Sequence, residues 1–260
     1  MREAVAIWRN TRLVVLTAVS ASLYAALLIP FKVLPLIPGV TELRPANAVP
    51  VVCSFLFGPA GAWGAAIGNL IGDFFGGLGP GDLFGFAGNF LYGFIPYAAW
   101  RALGGGDPLP RSLRQWVGFV AVVALAAAAC ALVVGWGLHT LGYVPFAVLG
   151  NIVFFNNFVM AMVLSPPLLL AVYPRVKQAG LRYDDLVLAS EAPRPSARRI
   201  LGLAAVVAGT VGGFVVGNLL STGQIELAAL VSEPPVPRTA QVTLGIAPFV
   251  ALILLGVLLL

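Results

Sequence analysis

Charge is what this 260-residue sequence has least of: Asp, Glu, Lys and Arg make up 10% of it, against 60% hydrophobic residues. A soluble domain carries about 25% charged residues to cover its surface. A water-solvated globule is therefore excluded, and a mean hydropathy of +0.97 points to lipid as the solvent. Cysteine occurs only twice, as Cys53 and Cys130, each inside an apolar run. That gives neither a metal spacing nor a disulfide framework, and it leaves the redox compartment unread. Histidine occurs once, His139, with no second ligand near it in sequence. There is no HExxH, no GxSxG and no pair of carboxylates at catalytic spacing. Gly79-Pro80-Gly81-Asp82 lacks the Lys and Ser/Thr of a phosphate loop and reads as a tight turn. No Walker motif is present, so any ATP-driven work falls to other subunits. The expectation is no enzyme, no cofactor, no metal and no nucleic-acid partner.

What remains is a series of long apolar runs. About 20 apolar residues cross a bilayer, which predicts spans near 13–36, 84–103, 116–138, 146–173, 200–220 and 243–260. Arg2, Arg9 and Arg12 precede the first run, which is too long for a signal-peptide core and reads as a retained span. The stretch 46–76 is apolar throughout but broken by Gly58-Pro59-Ala60-Gly61. Lys and Arg collect on the cytoplasmic side of a membrane protein. If the break is a turn, Arg2, Arg9, Arg12, Arg101, Arg111, Arg114, Arg175, Lys177, Arg182, Arg194, Arg198 and Arg199 all fall inside, twelve of the fifteen basic residues. Lys32 then snorkels at the outer end of the first span, and Arg44 and Arg238 lie outside. A single kinked span would destroy that asymmetry. A re-entrant hairpin satisfies the same parity, so both geometries remain open. The fold class is thus an all-α, multi-pass protein of the cell inner (cytoplasmic) membrane with both termini cytoplasmic. Residues 1–178 form a six-helix bundle, 179–199 a cytoplasmic linker, and 200–260 two further transmembrane helices joined by a Pro-rich external loop. No internal repeat, heptad or low-complexity tract is present.

Polar side chains at membrane depth cost free energy and usually face a cavity or a partner. Arg44, Asn47, Asn69, Asp73, Asp82, Asn89, Tyr92, Asn151, Asn156 and Asn157 gather in the outer half of the first six spans. Any single asparagine is adequately explained as an interhelical hydrogen bond, worth about 0.6 kcal/mol; ten polar residues together argue for a cavity. Within that set, Arg44, Asn47, Asn69, Asp73, Asn89, Tyr92 and Asn156 are the candidate substrate-binding residues. The first span carries two small-residue rows, Ala18/Ser22/Ala26 and Ala21/Ala25. Spacing of four puts each row on one helix face, where it serves either packing within the chain or docking of another subunit.

At this point a resemblance becomes specific. Arg44-Pro45-Ala46-Asn47-Ala48-Val49-Pro50, Phe57-Gly58-Pro59-Ala60-Gly61 and Gly68-Asn69-Leu70-Ile71-Gly72-Asp73 resemble the second and third helices of substrate-capture (S) components of energy-coupling factor transporters. Gly88-Asn89-Phe90 and Phe155-Asn156-Asn157 are similar to motifs of later helices in that family, and the alanine rows to its scaffold-docking pattern. The branch assigned to queuosine precursors looks nearest. The resemblance covers roughly residues 10–178. It implies a six-helix protein that binds a vitamin or small heterocyclic nutrient from outside and works with a scaffold transmembrane subunit and two ATPases. The two helices after residue 200 depart from that pattern. Two other classes of function stay open at this stage: an autonomous secondary carrier or channel using Asp73 or Asp82, and a membrane enzyme or assembly factor. The carrier reading lacks the inverted repeats common in such proteins.

Overall fold

The computed structural model describes residues 1–33, 35–37, 41–187, 196–227 and 237–260. Arg194 and the prolines of the expected linker, and most of the Pro-rich loop, lie outside the described residues.

A short helix α1 (Arg2–Ala6) leads into α2 (Thr11–Leu28), which starts where the Asn10 side chain accepts hydrogen bonds from the Arg12 and Leu13 amides. The first span was expected to run to residue 36, but α2 stops at Leu28 and gives way to a 3-10 stretch, Ile29–Val33. Pro30 has no N–H to offer the carbonyl four residues back, so the ladder loses a rung there. A short antiparallel pair follows, β1 (Pro35–Ile37) and β2 (Thr41–Glu42). After a 3-10 turn at Pro45–Asn47 come α3 (Ala48–Phe57) and α4 (Pro59–Phe74). The remaining helices are α5 (Asp82–Ala102), α6 (Leu113–Thr140), α7 (Phe146–Gln178), the short α8 (Tyr183–Leu186), α9 (Ala197–Thr222) and α10 (Arg238–Leu259). The protein is an all-α membrane protein. Among the described residues, five stretches, containing α2, α6, α7, α9 and α10, are long and apolar enough to cross a bilayer.

The stretch 46–76 is two helices joined at Gly58, whose φ of +54° suits a residue without a Cβ. A Cβ there would also press on the rings of Tyr97 and Tyr183 at 3.0 Å. Those tyrosines sit at the end of the molecule that carries both termini. There, Arg199 pairs with Glu3 at 2.6 Å, and Arg198 donates to the Leu258 carbonyl. Arg101 pairs with Asp184 at 3.1 Å, and Asp107 accepts from Tyr173 at 2.8 Å. The connection after α5 and the start of the expected linker therefore share this end with both termini, as the basic-residue pattern requires. The opposite end, called outer below after the expectation from the basic residues, carries the α4–α5 turn, the α6–α7 connection and the end of α9.

Close backbone contact holds the bundle together, as expected where lipid offers helices no hydrophobic drive to associate. Gly64, Gly68 and Gly72 form one face of α4 against α2: a Cβ on Gly64 would meet Ser20 Cβ at 2.3 Å, and one on Gly68 the Ala21 carbonyl at 2.7 Å. This separates the two small-residue rows. Ala21 and Ala25 are 3% and 5% exposed and serve internal packing, a correction to their expected docking role, whereas Ala18, Ser22 and Ala26 face outward. A second close contact joins α9 to α10, where a Cβ added to Gly202 would stand 2.8 Å from the Gly256 carbonyl oxygen and one added to Gly256 2.7 Å from that of Gly202.

Candidate functional site

At the outer end, α4, α5, α6 and α7 enclose a cavity of about 270 Å³. Its polar lining includes Arg44, Asn69, Asp73, Asp82, Asn89, Asn156 and Asn157; Val134, Leu138, Leu149 and Val153 form an apolar wall, with Tyr143 on the rim side.

The polar groups are held both within their own helices and by neighbours on other elements. Arg44, just after β2, donates from Nη1 to Asn69 Oδ1 at 3.2 Å and pairs through Nη2 with Glu42 Oε1 at 3.1 Å. Its buried Nε has no hydrogen-bond partner among the described residues. Asn69 Nδ2 donates to Asp73 Oδ2, one turn along α4, at 2.6 Å. Gly85 lets α5 approach this pair, since a Cβ there would stand 3.1 Å from Asn69 Nδ2. Asn156 on α7 grips the segment before α3 with both ends of its amide. Its Nδ2 donates to the Glu42 carbonyl at 2.8 Å, and its Oδ1 accepts from the Arg44 amide at 3.3 Å.

Beneath the cavity lies a second polar layer. Asn47 Nδ2 donates to Asn157 Oδ1 at 2.6 Å. The Tyr24 hydroxyl lies 2.9 Å from Asn47 Oδ1 and 3.0 Å from Asn89 Oδ1, and its single proton serves one of them at a time. The Tyr92 hydroxyl is likewise 3.0 Å from the carbonyls of Asn47 and Asn157.

Of the seven residues expected to bind substrate, Arg44, Asn69, Asp73, Asn89 and Asn156 line one cavity. Asn47 and Tyr92 do not. They are 1% and 0% exposed, and their polar atoms are committed to the layer below, so Tyr92 presents no aromatic face to a ligand. Asp73 is buried, not a helix-end carboxylate in open water. Asn151, part of the wider polar set, points away from the cavity and donates to Asn218 of α9 at 2.7 Å. Sequence reasoning left out Tyr24, Asn157 and the apolar wall as site residues. Tyr24 carried the same signal as the asparagines, a lone polar group at membrane depth among small residues. Val134, Leu138, Leu149 and Val153 carried none, because an apolar residue in an apolar helix is uninformative.

A family model described as QueT transporter matches residues 14–174, more than half of the chain. No curated protein and no solved structure matches. The match covers every residue lining the outer cavity and stops before α9. This multi-pass membrane protein therefore belongs to the QueT transporter family, a family of S components of energy-coupling factor transporters and not of enzymes.

Proposed function

We propose that the chain captures a queuosine precursor, or a related small planar heterocycle, from the outer side of the inner membrane. It then delivers that nutrient through a shared scaffold subunit and two ATPases. The observation that carries this reading is the outer cavity, where seven polar residues, from the segment before α3 and from α4, α5 and α7, converge on one space bordered by an apolar wall. Amide donors and acceptors at its edge suit the in-plane polar groups of a heterocycle, and Val134, Leu138, Leu149 and Val153 suit its faces. Arg44 Nε, a buried donor with no acceptor among the described residues, favours a ligand that brings one. With termini and basic residues on the cytoplasmic side, the cavity opens outward. Energy has to come from partners, and the exposed Ala18/Ser22/Ala26 face of α2 is a small-residue surface on which a scaffold helix fits closely.

The test is calorimetric titration of the purified protein with a queuosine-precursor base. Asn69→Ala, Asp73→Asn and Asn89→Ala should each weaken binding by about 5- to 150-fold, the cost of about 1–3 kcal/mol for one lost hydrogen-bonding group in a closed site. Parent-like affinity in all three would place the ligand elsewhere. Uptake in cells without the scaffold and ATPase subunits would instead favour an autonomous carrier.

A further inference from the structure

We propose that α9 is a positioning element for the ligand cavity, holding the outer half of α7 in place through Gly217, Asn218 and Ser221. The inference rests on the outer cavity being the ligand site, and it assigns a role to a helix that lies beyond the family match.

The first turn of a helix leaves backbone N–H groups without intrahelical partners. α7 starts after Pro145, which supplies no side-chain cap. The missing acceptors come from elsewhere: Phe146 N donates to His139 Nδ1 at 3.2 Å, and Ala147 N to Ser221 Oγ at 3.1 Å. A cap is thus delivered from 74 residues away. One turn further, Asn151 Nδ2 donates to Asn218 Oδ1 at 2.7 Å. Beside these bonds, the fully buried Phe146 ring is seated on glycines of three helices. Added Cβ atoms would reach it at 2.6 Å from Gly217, 3.2 Å from Gly135 and 3.2 Å from Gly150.

The same stretch of α7 presents Leu149, Val153, Asn156 and Asn157 to the cavity. Asn156 in turn holds the Glu42–Arg44 backbone. Positional error in the first turns of α7 therefore passes to one apolar wall, to two amides and to Arg44. Fixing α7 from behind keeps all of them in register without any atom of α9 lining the cavity.

Ser221→Ala and Asn218→Ala are measured beside the parent and Asn69→Ala in the full-length protein. The readouts are amide hydrogen exchange over 146–157 and the dissociation rate of a queuosine-precursor base. Faster exchange confined to 146–157 is expected, with dissociation accelerated about 3- to 30-fold and association little changed. Ser221→Thr, which keeps the hydroxyl, should restore both. A merely structural role would lower the melting temperature while leaving dissociation at the parent rate, and that result overturns the proposal. If Asn69→Ala weakens binding while the α9 variants bind as the parent does, this inference fails and the outer-cavity reading stands. If Asn69→Ala also binds as the parent does, both fall together.

Discussion

Asn47 and Asn157 meet amide to amide at 2.6 Å, although 110 residues separate them in the chain. The bond ties the start of α3 to the middle of α7, and Tyr24 and Tyr92 close the layer on either side. This layer is the floor of the cavity and not its wall, so stability and affinity should separate between the two. Asn47→Ala strands the Asn157 carboxamide in a buried setting and should cost about 1–3 kcal/mol of stability. Asn69→Ala, in the cavity wall, should reduce affinity with a smaller effect on melting. Thermal unfolding in detergent, read with ligand titrations, checks the distinction; equal melting shifts for both variants would abolish it.

Ala21→Leu and Ala18→Leu lie three positions apart and should behave oppositely. Ala21 is packed against Gly64 and Gly68, where a leucine has no room, so the protein should express poorly or melt early. Ala18→Leu and Ser22→Leu lie on the outward face and should leave melting and ligand affinity unchanged. If that face receives the scaffold, both variants should lose uptake in whole cells, because bulk holds close-packed helices apart. Normal uptake in both would remove α2 as the docking face.

The arrangement of ends can be checked by labelling. Cys53 is buried and Cys130 lines the outer cavity, so cysteines introduced at Gly106 and Gly142 in a Cys130→Ala background report alone. Gly106 shares an end with the termini and should react only when reagent reaches the cytoplasm. Gly142, in the α6–α7 connection, should react from outside intact cells. Labelling of both from one side contradicts the alternating course of α5, α6 and α7.

Asp107 gives the end that carries both termini a pH dependence. Burial pushes its carboxyl up, but hydrogen bonds from Tyr173 and Lys177 and the charges of Lys177 and Arg182 outweigh that and hold it below its ordinary value. A depressed carboxyl contributes stability that is complete above its unfolded value, about 3.9, and is lost as pH falls through the lower folded value. Melting of the parent should therefore decline on acidification below about pH 4, and Asp107→Asn should flatten part of that decline. Identical acid profiles for the two proteins would show that the Asp107–Tyr173–Lys177 contacts add nothing.

Much of this was legible in the residues because the bilayer is a demanding solvent. Scarcity of charge required lipid, apolar length marked the long helices, and the Lys/Arg distribution grouped the segments that the fold brings to one end. Gly58-Pro59 announced the α3–α4 break, since a positive φ and a missing N–H both interrupt a helix. Polar residues stood out against the apolar runs, and five of the seven singled out do share a cavity.

Direction around each helix was not legible. In a soluble helix the polar face marks the outside; here lipid and protein interior are equally apolar, so hydropathy does not say which face turns inward. Ala18 and Ala21 look alike in sequence, yet one faces outward and the other is covered by Gly64. Asn151 and Asn156 look alike too, yet one turns to α9 and the other to the cavity. The residues determined a membrane bundle with a polar outer half; only packing, through the glycine faces of α4 and α9, decided which side chains meet inside it.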